Sequence, residues 1–149
     1  MFSPDSKRLA YLARREQKWL AVVDGAEGGE YDLAGVPLFS PDSKRFAYIA
    51  GREKKFLVIV DGVDGKKYDL IGMKTRPYYF PGHVSSSDSK YFAYVAQRGG
   101  KFIVVVDGVE GNEYDRWSGA RPVFEGPDKL RAVMMRDNEV FLVEIGIQP

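Results

Sequence analysis

The sequence contains no cysteine and only one histidine, His83, and each shortage excludes a class of chemistry. Without cysteine, the chain can form no disulfide, no thiolate nucleophile and no cysteine-ligated zinc site. A Ser–His–Asp triad would have to include His83, and no elbow-type serine motif lies near it. We therefore predict a protein that is not an enzyme, and we assign it neither a cofactor nor a metal ion.

An excess of one charge, long apolar runs and helical periodicity are missing as well. The 22 Lys and Arg residues balance 21 Asp and Glu residues, so bulk charge favours neither nucleic acid nor a membrane as partner. The longest apolar runs, such as 102–106, suit a buried strand and are far too short for a membrane helix. Residues 1–5 lack the pattern of a secretion signal, so we expect none in this sequence, and the compartment stays unassigned.

What the sequence does contain is an internal repeat. The segment 2–11, Phe-Ser-Pro-Asp-Ser-Lys-Arg-Leu-Ala-Tyr, returns almost unchanged at 39–48, and shorter copies lie at 86–94 and 126–133. The aspartates in register are 37, 46 and 40 residues apart: Asp5, Asp42, Asp88 and Asp128. Such a period is typical of a helical solenoid or of a propeller blade, and local chemistry decides between them.

A second motif, Val-Asp-Gly-x-Asp/Glu-Gly-x-x-Tyr-Asp, follows each of the first three copies and starts at Val23, Val60 and Val106. Its Asp-Gly residues tolerate the positive φ of a tight hairpin. Two carboxylates per turn are too few for a calcium loop, so we predict a structural turn. The closing Tyr-Asp pair is predicted to pack by its tyrosine and to hydrogen-bond locally by its aspartate.

Each unit is predicted to form four strands, which in the second unit lie near 36–39, 45–50, 55–60 and 67–71. These segments are rich in aromatic and β-branched residues, and turn residues separate them. The two central strands are apolar at nearly consecutive positions, as in a blade packed between two other blades. We therefore predict an all-β fold, a β-propeller of four blade repeats.

The whole chain, 1–149, is predicted to be one propeller or half-propeller domain. The blades are placed at about 1–35, 36–73, 74–119 and 120–149, and the last blade is expected to lack its outer strand. Propellers usually close with about four to eight blades. We favour a homodimer of half-rings, in which blade 4 of each copy meets blade 1 of the other; a closed four-blade monomer and a fragment of a larger propeller are the alternatives.

The core Phe-Ser-Pro-Asp-x-Lys-Arg-x-Ala-Tyr resembles the TolB-type, WD-repeat-like β-propeller blades of bacteria. The usual turn of that family is Pro-Asp-Gly-Lys, and Ser6, Ser43 and Ser89 replace the glycine here. We expect serine to fit the bridge region of a type I turn at these positions. The resemblance implies a propeller and, often, a periplasmic location, but propellers serve as scaffolds, ligand-binding modules and accessory domains of peptidases.

One loop departs from the repeat and supplies most of the predicted site. From Tyr31 to Asp42 is 11 residues, whereas from Tyr68 to Asp88 is 20, and the extra residues lie within 73–84. Cations beside aromatic side chains are common at recognition surfaces; a loop that plugs the channel of the ring is the alternative. The predicted partner-binding residues are Lys74, Arg76, Tyr78, Tyr79, His83 and Arg121.

Propeller topology also predicts a separation of charge between two faces. One face is expected to carry Arg14, Arg15, Arg52, Lys54, Lys74, Arg76, Arg98 and Arg121. The other is expected to carry Asp5, Asp24, Asp42, Asp61, Asp64, Asp88, Asp107 and Glu110. An anionic partner would then dock on the basic face.

The function predicted first is a non-enzymatic binding module or scaffold whose basic loop face meets a protein or peptide partner. The second hypothesis is the propeller portion of a peptidase or another hydrolase. The third is a propeller that binds a small ligand or a sugar, which is less favoured because Trp19 and Trp117 are the only tryptophans.

Overall fold

The computed structural model describes residues 1–35, 37–72 and 83–147, and all strand bounds refer to these ranges. Within them the chain forms 17 strands in four antiparallel sheets and no α-helix. The predicted all-β class is therefore confirmed. The described residues also include no helix that is long and apolar enough to cross a membrane.

We call each sheet a blade and number the blades along the chain. Blade 1 contains β1 (Ala10–Arg15), β2 (Lys18–Val23) and β3 (Ala26–Glu27). Blade 2 contains β4 (Leu33–Ala34), β5 (Leu38–Phe39), β6 (Phe46–Arg52), β7 (Lys55–Val60) and β8 (Val63–Asp64). In both blades a long antiparallel hairpin forms the centre, and a short outer strand pairs with its second strand.

The other two blades repeat this plan. Blade 3 contains β9 (Leu70–Ile71), β10 (His83–Ser85), β11 (Phe92–Arg98), β12 (Lys101–Val106) and β13 (Val109–Tyr114). Blade 4 contains β14 (Arg116–Trp117), β15 (Val123–Phe124), β16 (Lys129–Arg136) and β17 (Glu139–Gly146). Among the residues that the structure describes, no strand pairs with the outer edge of β17, which agrees with the predicted lack of an outer strand in the last blade.

The chain crosses between blades earlier than the sequence predicted. Tyr68 still pairs with Phe56 of blade 2, but Leu70 already pairs with Gln97 of blade 3. The predicted outer strand near 67–71 is therefore divided between two sheets. The inner strand of blade 3 consists of two short pieces, β9 and β10, which both pair with β11, and blades 2 and 4 are built in the same way.

Small and aromatic side chains of the first hairpin strand fill the contacts between blades. Ala47 and Ala93 are completely buried, which lets neighbouring sheets approach closely. The next residue is a tyrosine that is 2% exposed in blades 2 and 3, at Tyr48 and Tyr94, but 46% exposed in blade 1, at Tyr11. The two inner blades are thus covered on both faces, as their apolar runs predicted, and blade 1 is open on one side.

The serines of the first turn have a different role from the one expected. Ser43 and Ser89 both have a φ of 66°, in the left-handed region rather than the bridge region. A side chain there costs about 1 kcal/mol relative to glycine. A hydrogen bond across the blade boundary offsets this cost, because Ser43 Oγ accepts from the backbone N–H of Asp5 at 3.1 Å, and Ser89 Oγ from that of Asp42 at 2.9 Å. Glycine could not supply this contact.

Candidate binding site

Most of the predicted site residues lie in the part of the chain that the structure leaves undescribed. Lys74, Arg76, Tyr78 and Tyr79 fall within 73–82, outside the described residues. His83 is the first residue of β10, and its backbone pairs with Tyr94. Arg121 is exposed in blade 4, between β14 and β15. The recognition loop therefore stays a prediction.

The predicted charge separation is wrong for Asp64 and Glu110, which were assigned to the acidic face but pair with arginines of the expected basic face. The arginine at the end of the first hairpin strand pairs with a carboxylate of the outer strand in three blades: Arg15 with Glu27, Arg52 with Asp64 and Arg98 with Glu110. The lysine that starts the second hairpin strand also pairs with an aspartate: Lys18 with Asp32, Lys55 with Asp69 and Lys101 with Asp115. Three arginines of the expected basic face, Arg15, Arg52 and Arg98, are therefore neutralised by carboxylates of their own blades.

The aspartates of the Asp-Gly turns serve the fold, as predicted. Asp61 Oδ1 accepts from the backbone N–H of Phe46 at 2.9 Å, and its Oδ2 pairs with Arg45 at 2.9 Å. Asp24 makes the same two contacts in blade 1, with Leu9 and Arg8. Since protein donors occupy both oxygens, these carboxylates are poorly placed to be cation ligands. Within the described ranges, no group of three or more acidic, histidine or cysteine side chains is placed to hold a metal ion.

The Tyr-Asp motif joins one blade to the next, which the sequence did not predict. Tyr31 Oη donates to Asp64 Oδ1 of blade 2 at 2.5 Å, and the Arg52 guanidinium lies 4.7 Å from the centre of the Tyr31 ring. Arg52 also pairs with Asp64 at 3.4 Å, so the three side chains form one unit. We call this arrangement of a tyrosine from one blade with an arginine and a carboxylate of the next blade the tyrosine clamp.

The same clamp joins blades 2 and 3. Tyr68 Oη donates to Glu110 Oε1 at 2.8 Å, and Arg98 binds both Glu110 oxygens at 2.9 and 3.1 Å. The Arg98 and Tyr68 hydrogen bonds lower the pKa of Glu110 to about 2. Burial and the bond to this carboxylate raise the pKa of Tyr68. The clamp is therefore a neutral phenol and an ionised carboxylate, held together by an arginine.

The aspartate of the motif also crosses the boundary, although a local bond was predicted. Asp69 Oδ2 accepts from the backbone N–H of Gly99 in blade 3 at 2.8 Å. Asp32 and Asp115 accept in the same way from Glu53 and Asp137. Both side chains of the Tyr-Asp dipeptide are therefore bonded to the next blade at the point where the chain crosses to it.

Between blades 3 and 4 the clamp is incomplete. The Arg136 guanidinium lies 4.9 Å from the centre of the Tyr114 ring and donates to the Glu113 carbonyl at 2.7 Å, just as Arg52 donates to the Glu30 carbonyl. Tyr114 is 8% exposed. Among the described residues, however, no carboxylate contacts the Tyr114 hydroxyl or Arg136. The tyrosine and the arginine of the clamp are in place, and its acidic member is missing.

A groove lies where the outer strand of blade 4 would be expected. Its volume is about 520 Å³, and its walls include Glu110 and Tyr114 on blade 3 and Phe141 to Ile145 on β17. Phe141 of β17 is 38% exposed on the groove side, whereas the residue at its position in the blade 3 hairpin, Ile103, is 1% exposed. An apolar side chain and an unpaired strand edge are thus open together beside the groove.

This site was only partly accessible to sequence reasoning. The missing outer strand and the packing of the Tyr-Asp tyrosine, here Tyr114, were predicted, but Arg136 was not singled out. The signal was an arginine at the end of every first hairpin strand, at Arg15, Arg52, Arg98 and Arg136, with an acidic outer-strand residue following only the first three.

The comparisons with known proteins address the fold. No protein-family model and no curated protein sequence matches the chain. A solved structure that is similar to it is the β-propeller domain of the Trilobed protease from Pyrococcus furiosus, which has an open velcro topology. The TM-score is 0.55 and the identity 13%, and the match covers 93% of this chain. The chain spans about half of that domain, 54% of its length. The four sheets thus have the fold of a β-propeller.

Proposed function

We propose that the protein is a non-enzymatic β-propeller that binds a protein or peptide partner through the outer edge of β17. The observation that carries this proposal is the outer edge of β17, which pairs with no described strand and borders the groove; Phe141, on the groove side, is 38% exposed. An open edge of this kind is a template for an added strand, and its backbone groups supply affinity while side-chain pockets supply specificity. The basic loop face, which we predicted as the docking surface, is not used in this proposal.

The first experiment uses the outer strand of blade 3 as a probe. A fluorescent peptide of residues 106–115 should bind the protein in an anisotropy titration, because this segment already pairs with β12 in the way we propose for β17. Phe141→Ser should weaken binding about fivefold, since Phe141 lines the groove and an apolar side chain that becomes buried contributes on the order of 1 kcal/mol.

The matched control is Val63→Ser, which removes an apolar side chain that is also exposed, at 71%, from blade 2. It should leave peptide binding unchanged. If the peptide does not bind, or if Phe141→Ser and Val63→Ser have the same effect, β17 is not the binding edge.

We also propose that two copies assemble as half-rings. This proposal is supported by the open face of blade 1 at Tyr11 and by the match to 54% of a propeller domain. Light scattering should give twice the chain mass of 16.8 kDa at micromolar concentration. A stable monomer under those conditions would reject the dimer and favour a four-blade ring or a fragment of a larger propeller.

A second candidate function follows from the similar domain, which belongs to a protease. On this alternative the chain is the propeller portion of a peptidase or another hydrolase, and the groove beside β17 would dock a catalytic domain. Proteolytic activity that co-purifies with the native protein would favour it. The assignment to TolB-type blades rests on the core Phe-Ser-Pro-Asp-x-Lys-Arg-x-Ala-Tyr alone and remains a proposal.

A further inference from the structure

We infer that the segment bound at β17 is recognised by a carboxylate, which Tyr114 Oη and the Arg136 guanidinium hold together. This inference rests on the proposed function and specifies its ligand: an extended segment with an acidic side chain at one fixed position. The incoming strand would complete the third tyrosine clamp.

The two complete clamps define what is missing. In each of them a carboxylate of the outer strand accepts from the tyrosine of the preceding blade, at 2.5 Å for Tyr31 and at 2.8 Å for Tyr68. The same carboxylate pairs with the arginine that ends the first hairpin strand of its own blade, Arg52 or Arg98. A buried tyrosine, an arginine and one acid recur together, and the acid always comes from the outer strand.

The third boundary has the same two donors in the same arrangement. Arg136 lies over Tyr114 at 4.9 Å, compared with 4.7 Å for Arg52 over Tyr31. The Tyr114 side chain is more than nine-tenths buried, and in the described part of the chain no acceptor contacts its hydroxyl. Burial of a hydroxyl without a partner is costly, and a charged acceptor gives the strongest hydrogen bond it can make. Two converging donors next to a groove therefore favour a carboxylate as occupant.

The register of the blades fixes the position of the acid. The clamp carboxylates Asp64 and Glu110 lie opposite Ile59 in blade 2 and Val105 in blade 3. Each of these two positions comes four residues after the lysine that lies opposite the clamp arginine in the hairpin. In blade 4, the residue opposite Arg136 in the hairpin register is Glu139, and Val143 comes four residues after it. The acidic residue of the bound strand should thus lie opposite Val143, antiparallel to β17. Val143 lines the groove, so this position is open.

A thermodynamic cycle between peptide and protein tests the inference. In the peptide of residues 106–115, Glu110→Gln removes the clamp carboxylate, and Glu113→Gln is the matched control because it changes the net charge equally. For the native protein we expect Glu110→Gln to weaken binding about tenfold, as expected for the loss of a charged hydrogen bond, and Glu113→Gln to have little effect. For Arg136→Gln protein, the unchanged peptide and its Glu110→Gln variant should bind alike.

Tyr114→Phe provides a second, milder variant, which removes only the hydroxyl and should also reduce the preference for Glu110. Arg14→Gln, in blade 1, should leave the tenfold preference unchanged. If the native protein binds the unchanged peptide and its Glu110→Gln variant equally, or if the preference persists in both Arg136→Gln and Tyr114→Phe, the carboxylate inference is overturned while strand binding stands. If none of the peptides binds, the proposed function fails and the inference with it.

Discussion

Tyr94→Ala is expected to lower the free energy of unfolding by about 3–5 kcal/mol, the usual cost of truncating a large core side chain. Tyr94 is 2% exposed, and its ring packs edge-on against Tyr68 with the ring centres 6.2 Å apart. The substitution would leave a cavity in the boundary between blades 2 and 3. Urea denaturation would measure this loss of stability, with the fluorescence of Trp19 in blade 1 and of Trp117 in blade 4 as the signal.

Tyr11→Ala is the matched control, because Tyr11 has the same position in blade 1 but is 46% exposed. At concentrations where the chain is monomeric, this variant should lose less than about 1 kcal/mol. The cost should rise with concentration if a second copy covers blade 1, since association stabilises only the folded state. Equal losses for the two variants in the monomer would contradict the burial described for these blades.

Glu110→Gln is expected to lower the free energy of unfolding by roughly 1–2 kcal/mol at neutral pH, because hydrogen bonds to a charged group are lost. The folded pKa of Glu110 is lowered to about 2 from a usual 4.5, mainly by Arg98 and then by Tyr68. A lowered pKa means that the ionised form stabilises the fold above about pH 4.5 and that this contribution disappears as the pH falls toward 2. The difference between the variant and the native protein should therefore close over that range.

Denaturation curves at several pH values would test this expectation. Glu27→Gln is the control, because Glu27 has the same position in blade 1 and pairs with Arg15, but it is not clamped to a tyrosine in the described structure. It should cost little at any pH, since it breaks an exposed pair. A pH-independent loss in Glu110→Gln would mean that its effect comes from packing rather than from charge.

The repeat unit was readable from the sequence because its signals are local. The alternating turns and apolar runs predicted four blades, and Asp61 and Gly62 adopt the positive φ that their turn requires. Contacts within a hairpin join residues that are close in the sequence, so periodicity and turn composition are sufficient to place them.

The contacts between blades could not be predicted from such local signals. Tyr31 and Asp64 are 33 residues apart, and their meeting depends on how two sheets stack. The charge separation failed for a different reason: Asp64 was assigned to a face on topology alone, and it pairs with Arg52 within the same blade. The prediction for the serine turns was wrong because Ser43 is stabilised by a hydrogen bond from Asp5 of another blade, which the turn sequence does not show.

The tyrosine clamp has a consequence for how such a molecule can change in length. Each clamp uses side chains from two adjacent blades only, as Tyr68 of blade 2 meets Arg98 and Glu110 of blade 3. Duplicating or deleting one complete repeat would therefore create or remove one clamp and leave the others untouched. The clamps therefore set no fixed number of repeats, and any cooperativity that they transmit passes only between adjacent blades.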